Sequence, residues 1–402
     1  MGRVLHSLII LSLTTGAAFA SEFEFHDGDR VVVIGSTLIE REQRFGYWEA
    51  AITTRNPNKN ITFRNLGWSG DSVWGEARAV FGTPADGYKA LIDHVKAEKP
   101  TVIIVGYGTN ESFAGEKGLA KFKAQYKKLL DDLSVTKPRF VLLAPLRIRK
   151  MPPPMPDPAA ANANLKIYAD AIRAEAEQQK ALFVPIFDWL PTEYREELYF
   201  ENGMHPTAFG YQSMDTLWSK AFGGQGTEGV VDIDISTGKE CHGRATAKSD
   251  GGPLRYKVAQ RFLPSSIKTP EGQLLGNLVK FRNLPEGDYS LHIGGKLMAT
   301  QSTGSKTALP AHRWQQGYCV YNDPDSEQFE QLRQTIIEKN QLYFHRWRPQ
   351  NVTYLFLFRK HEQGNNAVEI PKFDPLVEAK EKEIAKLRVP REHVYELVPE
   401  KK

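Results

Sequence analysis

The stretch Val31-Val32-Val33-Ile34-Gly35-Ser36-Thr37 decides the fold. Its first four residues form a continuous β-branched run, which is typical of a strand buried on both faces of a parallel sheet. Gly35 ends the run, and two hydroxyl side chains follow it just before a helical pattern that begins near Glu40. The stretch therefore predicts a strand, a turn that carries hydroxyl groups, and a helix.

The same alternation of strand and helix continues through the first half of the chain. Further apolar runs predict strands at 61–66, 102–105, 140–143 and 182–184. Amphipathic patterns predict helices at about 40–54, 84–98, 118–133, 159–179 and 207–221. Alternating strands and helices are typical of a parallel sheet with helices on both faces. We therefore expect one α/β domain over residues 28–222.

The pattern changes after Gly226. Short alternating runs with Gly, Pro and Asn between them predict a small β-rich region over 228–315. Residues 316–402 predict a helical or mixed C-terminal extension, in which 326–339 and 376–388 have helical character. No motif assigns a role to either region.

Residues 1–20 have the features of a secretory signal peptide. They combine a positively charged start, a short apolar run and the small-residue end Ala18-Phe19-Ala20. We therefore expect export to the periplasm or the cell exterior, although a buried N-terminal helix is the alternative. In an exported protein Cys241 and Cys319 could pair as a disulfide, whereas two buried, unpaired thiols fit the sequence equally well.

The composition excludes several other classes of protein. The 402 residues are 41% hydrophobic and 25% charged, as in ordinary globular chains. The formal net charge of +4, from 52 basic and 48 acidic residues, does not indicate a nucleic-acid partner. No segment after the signal reaches the roughly 18 apolar residues of a membrane span. Neither cysteine has zinc-site spacing and no cofactor motif occurs, so we expect no metal and no cofactor.

Four polar blocks each follow a predicted strand, at 35–37, 65–71, 106–111 and 201–206. Because ligands of open α/β sheets bind at the carboxyl ends of the strands, we expect these blocks to meet at one edge. A histidine at this edge could act as a general base. A glycine N–H and an asparagine amide there could donate hydrogen bonds to an oxyanion.

This order of blocks resembles the SGNH hydrolase superfamily, also called GDSL-type esterases and lipases, over roughly residues 28–222. The resemblance implies a flavodoxin-like three-layer α/β/α domain and ester hydrolysis through an acyl-enzyme. It places five residues at site positions of the family: Thr37 at the nucleophile, Gly70 and Asn110 at the oxyanion donors, His205 at the catalytic histidine and Asn202 at the triad aspartate.

Two of the three triad positions depart from the family. Thr37 keeps the hydroxyl of serine but adds a methyl group and a stiffer side chain. The amide of Asn202 lacks the negative charge that stabilises an imidazolium, and the equivalent change in a serine protease lowers kcat by about 10⁴. Three repairs are conceivable: Glu201 replaces Asn202, a backbone carbonyl orients His205, or Ser36 is the nucleophile.

Three functions follow from these residues. The first is an exported hydrolase that cleaves carboxylic esters of small molecules or glycans, acyl groups on carbohydrate among them. The second is a catalytically inactive SGNH fold that binds a glycan or a protein. A third is a structural component of an exported assembly, with residues 228–402 contacting a protein partner. The segments 35–44 and 345–349 also resemble large exported SGNH-like proteins of Planctomycetes.

Overall fold

The computed structural model describes residues 23–189, 196–222, 230–241, 245–268, 274–301, 304, 306–362 and 366–400. The predicted signal peptide at 1–20 and the glycine-rich junction at 223–226 lie outside the described residues. Among the described helices, none is long and apolar enough to cross a membrane.

The first half of the chain folds around a parallel sheet, as the sequence predicts. Its strands are β1 (Arg30–Gly35), β2 (Thr62–Asn65), β3 (Val102–Gly106), β4 (Arg139–Leu143) and β5 (Leu182–Val184). The spatial order is β2-β1-β3-β4-β5. The register aligns Gly35 with Gly106, so the segments that follow β1 and β3 emerge side by side.

Helices cover both faces of this sheet. They are α1 (Thr37–Glu42), α2 (Tyr47–Arg55), α3 (Pro84–Ala97), α4 (Gly115–Leu133), α5 (Ala159–Gln179), α6 (Glu196–Tyr199), α7 (Ala208–Ser213) and α8 (Asp215–Ala221). Trp48 of α2 and Trp218 of α8 pack on one face, with Val31 and Ile104 of the sheet. Residues of α3, α4 and α5 pack on the other face. The predicted three-layer α/β/α architecture is confirmed.

The predicted single helix at 40–54 is wrong, because the structure divides it into α1 and α2. Gly46 adopts a left-handed conformation with φ of 65° between the two helices. A Cβ atom at this position would lie only 3.2 Å from a side-chain carbon of Ile337. The break therefore accommodates a helix from the C-terminal part of the chain.

The second half contains two further sheets. Its strands are β6 (Val230–Asp234), β7 (Lys239–Glu240), β8 (Ala245–Gly252), β9 (Arg255–Gln260), β10 (Leu275–Arg282), β11 (Asp288–Ile293), β12 (Lys296–Leu297), β13 (Leu309–Pro310), β14 (Tyr318–Tyr321) and β15 (Glu392–Pro399). One sheet has the order β14-β10-β6-β7, and the other has the order β12-β11-β15-β9-β8 with β13 beside β11. Both sheets contain strands from either side of residue 315. The division at residue 315 into a β-rich region and a C-terminal extension stays a prediction. Cys241 and Cys319 are not joined by a disulfide.

The described residues of the C-terminal part also form the helices α9 (Ala311–Gln316), α10 (Pro324–Trp347), α11 (Val352–Leu355) and α12 (Phe373–Leu387). The side chain of Lys339 on α10 is fully buried and forms an ion pair with Glu49 of α2. On α12, Glu381 accepts a hydrogen bond from Arg64 at 2.6 Å. These contacts attach the C-terminal extension directly to the α/β domain.

Candidate active site

Thr37 begins α1 at the turn that follows β1. The preceding Ser36 is extended and forms the N-cap of this helix. Gly35 has φ of 155°, and a Cβ atom there would lie 2.5 Å from the carbonyl oxygen of Gly106. Only glycine therefore fits where β1 and β3 end together, and the turn presents Thr37 at the carboxyl edge of the sheet.

The loop after β2 brings Gly70 to the threonine hydroxyl. The backbone N–H of Gly70 donates a hydrogen bond to Thr37 Oγ1 at 3.3 Å. Gly70 adopts φ of 76°, which glycine reaches without a steric penalty. A backbone donor thus points at the oxygen that would attack a substrate.

The loop after β3 brings Asn110 to the same edge. Its Nδ2 donates to Ser36 Oγ at 2.9 Å and to the carbonyl oxygen of Asp71 at 2.7 Å. Ser36 is 4% exposed, whereas Thr37 is partly exposed. The structure thus presents Thr37 rather than Ser36 to a substrate, and Ser36 acts as an acceptor for the asparagine amide.

His205 contacts Asn202, and the direction of their hydrogen bonds fixes the orientation of the Asn202 amide and the tautomer of the His205 ring. Asn202 Oδ1 accepts the backbone N–H groups of Met204 at 3.1 Å and His205 at 3.0 Å. Its Nδ2 therefore faces His205 Nδ1, at 3.1 Å. Because an amide nitrogen only donates, Nδ1 of the neutral ring is the acceptor and the ring proton lies on Nε2. This tautomer is the opposite of the one that an aspartate supports.

Glu201 does not replace Asn202 in the structure. Its carboxylate pairs with Arg41 of α1, and its side chain is 47% exposed. The hydroxyl of Tyr211 also donates to the carbonyl oxygen of Leu38 at 2.8 Å, so two contacts hold the histidine segment against α1. In the described part of the chain, no hydrogen bond joins Thr37 to His205.

Burial lowers the pKa of His205 below its ordinary value, and the nearby Arg41 guanidinium lowers it further. Glu201 opposes this effect, although burial remains the largest cause. His205 is therefore neutral at pH 7. Neutrality is what a general base requires, but the lone pair of the neutral ring points to Asn202.

Several other residues of these loops form hydrogen bonds that stabilise the loops themselves. The buried carboxylate of Asp71 accepts Arg78 Nε at 2.7 Å and the Tyr107 hydroxyl at 3.0 Å. Glu111 accepts backbone N–H groups from Val73 and Gly108, and burial raises its pKa to about 7. Tyr107 is only 1% exposed, so its ring is not presented to a substrate.

Sequence reasoning missed Arg78 and gave Arg348 a different interpretation. Arg78 is buried with Asp71, and its spacing of seven residues from that aspartate carries no recognisable signal. From the sequence alone, the pattern around Arg348 favours a solvated face, with anion binding as the alternative. Arg348 instead packs on Trp68 in the loop that carries Gly70. Nothing in the sequence pattern of the segment 345–349 indicates this contact with Trp68.

The first half of the chain is similar to a known protein family. Residues 28–213 match the model of the GDSL-like lipase/acylhydrolase family. No curated protein matches the sequence.

Several solved structures resemble the chain. One is a gut microbial diltiazem-metabolizing enzyme, with a TM-score of 0.68 and 15% identity over 95% of this chain and 100% of that one. An acetylxylan esterase of Geobacillus stearothermophilus with a catalytic serine-to-alanine substitution has a TM-score of 0.41 and 17% identity, over 50% of this chain and 98% of that one. An alpha/beta hydrolase enzyme from the metagenome of Lake Arreo, Spain, has a TM-score of 0.39 and 22% identity, over 50% of this chain and 97% of that one. The family-model match over residues 28–213, a little under half of the 402 residues, makes this part of the chain similar to the GDSL-like lipase/acylhydrolase family, the SGNH hydrolases, and this similarity supports an ester hydrolase.

Proposed function

We propose that the protein hydrolyses carboxylic esters, with Thr37 as nucleophile and His205 as base. The observation that carries this proposal is the 3.3 Å hydrogen bond from the Gly70 N–H to Thr37 Oγ1. Once the His205 ring proton has moved from Nε2 to Nδ1, Thr37 Oγ1 attacks the acyl carbon, its proton passes to Nε2, and the leaving alcohol takes that proton. Water then attacks the acyl-threonine and releases the acid.

The negative oxygen of the tetrahedral intermediate needs hydrogen-bond donors beside Thr37. The first N–H groups of a helix have no intrahelical acceptor, so the Thr37 N–H in α1 is one candidate donor. The Gly70 N–H and Asn110 Nδ2 are the other two. Because Nδ2 already donates to Ser36 and Asp71, one of these bonds has to be exchanged for the oxyanion when substrate binds.

The amide of Asn202 makes this a slow hydrolase. His205 can accept the Thr37 proton only after its own proton leaves Nε2, and the Asn202 orientation opposes that change. In a serine protease the same substitution lowers kcat by about 10⁴, which corresponds to about 5 kcal/mol of barrier. We expect a deficit of similar size here.

Export and a carbohydrate-linked ester substrate complete the proposal. The signal-peptide features of residues 1–20 support export to the periplasm or the cell exterior. The partly exposed Trp68, two residues before Gly70, supplies an aromatic side chain at this edge of the sheet, although Arg348 covers one face of its ring. Acyl groups on small molecules are the other substrate class.

One observation favours a second function. With an amide facing His205 Nδ1, no carboxylate among the described residues contacts that ring nitrogen, so an imidazolium lacks the partner that an aspartate would supply. The fold would then bind a glycan or a protein without hydrolysing it, and residues 228–402 would add binding surface. The two functions differ in whether any ester is turned over.

A kinetic experiment tests the proposal. The purified protein is assayed with 4-nitrophenyl acetate and with acetylated oligosaccharides, beside Thr37→Ala and His205→Ala. The exposed Thr136→Ala serves as the matched threonine control. We expect slow hydrolysis that both site variants abolish and the control retains. Equal activity in Thr37→Ala would refute the nucleophile, and binding without turnover by every form would favour the second function.

A further inference from the structure

We propose that Arg348, immediately after α10, is a positioning residue of the active site. The inference rests on the proposed function, since it concerns the donor Gly70. We call residues 68–70 the Gly70 loop. The proposal is that Arg348 holds the Gly70 loop against the first turns of α1. The C-terminal extension would then complete a site that otherwise lies within the α/β domain.

The first contact is the stacking of Arg348 on Trp68. The guanidinium carbon lies 3.5 Å from the centroid of the Trp68 ring. A guanidinium stacks flat on an aromatic face and is attracted by the negative charge above the ring. The adjacent Trp347 packs edge-on against the same Trp68, with ring centroids 5.8 Å apart. Two consecutive residues of the extension therefore hold this tryptophan.

The second contact passes through Glu40 of α1. Arg348 Nη1 donates to Glu40 Oε2 at 3.1 Å. The same oxygen accepts the backbone N–H of Ser69 at 2.5 Å. One carboxylate oxygen thus joins the extension, the Gly70 loop and α1. The side chain of Glu40 is only 12% exposed, which shields these bonds from water.

These contacts define where Gly70 lies relative to Thr37. Ser69 directly precedes Gly70, and Glu40 lies three residues after Thr37 on the same helix. Ser69 and Gly70 are themselves exposed, so core packing does not fix them. Two backbone hydrogen bonds, from the Trp68 N–H to the Gly35 oxygen and from the Asp71 N–H to the Trp68 oxygen, both at 3.0 Å, anchor the ends of the Gly70 loop. The polar contacts to Glu40 and the stack on Trp68 act with them to hold the donor beside the hydroxyl.

Charge gives Arg348 a second effect on the proposed reaction. A negative charge on Glu40, which contacts the Ser69 N–H next to the donor Gly70, would oppose the charge that develops in the transition state. The guanidinium of Arg348 compensates it. Loss of Arg348 should therefore reduce kcat more than it changes KM, because both effects act on the transition state.

Hydrogen exchange on the full-length protein tests the positioning without requiring activity. Amide exchange is followed by mass spectrometry for peptides that cover 66–73, in the wild type, Arg348→Ala and Arg348→Lys. Arg346→Ala is the matched control, since Arg346 pairs with Asp374 at a more exposed position. Peptides that cover β3 report global unfolding.

We expect exchange in 66–73 to be about ten-fold faster in Arg348→Ala, with β3 unchanged. Arg348→Lys should be intermediate, because lysine keeps the charge but not the planar stack. The control should match the wild type. Esterase assays of the same proteins should show a lower kcat only at position 348.

The outcomes separate the two claims. Wild-type exchange in Arg348→Ala would overturn the inference, as would faster exchange with an unchanged kcat. Equal changes in Arg346→Ala would also overturn it. If the wild type hydrolyses no ester while Arg348→Ala still exchanges faster in 66–73, the proposed function fails and the positioning of the Gly70 loop is supported.

Discussion

Replacement of Asn202 by aspartate should convert the site into a faster hydrolase. The side chains have nearly the same shape, so one carboxylate oxygen can keep the backbone N–H groups of Met204 and His205, which now bind Oδ1. The other oxygen takes the place of Nδ2, 3.1 Å from His205 Nδ1. Because a carboxylate only accepts, the ring proton moves to Nδ1 and the lone pair of Nε2 becomes available to Thr37.

The size of the gain follows from the reverse substitution in a serine protease. That change costs about 10⁴ in kcat, or about 5 kcal/mol. Thr37 still carries its extra methyl group, so we expect an increase of about 10² to 10⁴. The new carboxylate should also raise the pKa of His205, which burial and Arg41 now lower, because a negative charge favours the imidazolium.

Initial rates of 4-nitrophenyl acetate hydrolysis measure this gain in Asn202→Asp. The double variant Thr37→Ala/Asn202→Asp is the control, and it should lose the increase. A folded Asn202→Asp protein with no gain in kcat would refute the tautomer argument. A gain that survives in the double variant would show that Thr37 is not the nucleophile.

Three further predictions concern the same residues and the interface with the extension. Thr37→Ser should raise kcat about ten-fold by removing the methyl group, and a loss of activity would contradict Thr37 as a hindered nucleophile. The acid limb of the wild-type kcat/KM profile should lie below pH 6.5, because the pKa of His205 is lowered and only the neutral ring is a base. Arg41→Met should move that limb to higher pH, and an unmoved limb would mean that another group titrates. Lys339→Met should lower the free energy of unfolding by about 3 to 5 kcal/mol in urea, because it leaves Glu49 buried without its cation, whereas adding Glu49→Gln should restore part of the loss.

Local sequence patterns predict most of the α/β domain. The continuous apolar run at 31–34 marks a strand buried on both faces, and the structure has β1 at Arg30–Gly35. The polar blocks at 35–37, 65–71 and 106–111 meet at one edge because the parallel strands before them end there, whereas 201–206 follows α6. The positions of Thr37, Gly70 and Asn110 could thus be predicted before any contact was known.

Contacts between distant parts of the chain could not be predicted in this way. Arg348 and Glu40 are 308 residues apart, and Lys339 and Glu49 are 290 apart. Hydrophobic periodicity reports only near neighbours, so it carries no signal for either pair. The left-handed conformation of Gly46 could not be predicted either, because it accommodates α10, which is distant in the sequence.

The orientation of Asn202 lies between these cases. The sequence shows that an amide replaces the family's aspartate, but not which end of the amide faces His205. Two backbone N–H groups decide this by occupying Oδ1, and their positions depend on the fold of 202–205. The tautomer of His205, and with it the expected slow rate, therefore required the structure.

The identity of the nucleophile is tested most directly by covalent labelling. A fluorophosphonate probe phosphonylates an activated hydroxyl with loss of fluoride, and peptide mass spectrometry locates the adduct. We predict an adduct on Thr37 that is absent from Thr37→Ala and forms faster in Asn202→Asp. An adduct on the neighbouring Ser36, equal labelling of Thr37→Ala, or no adduct in any of these proteins would contradict the account.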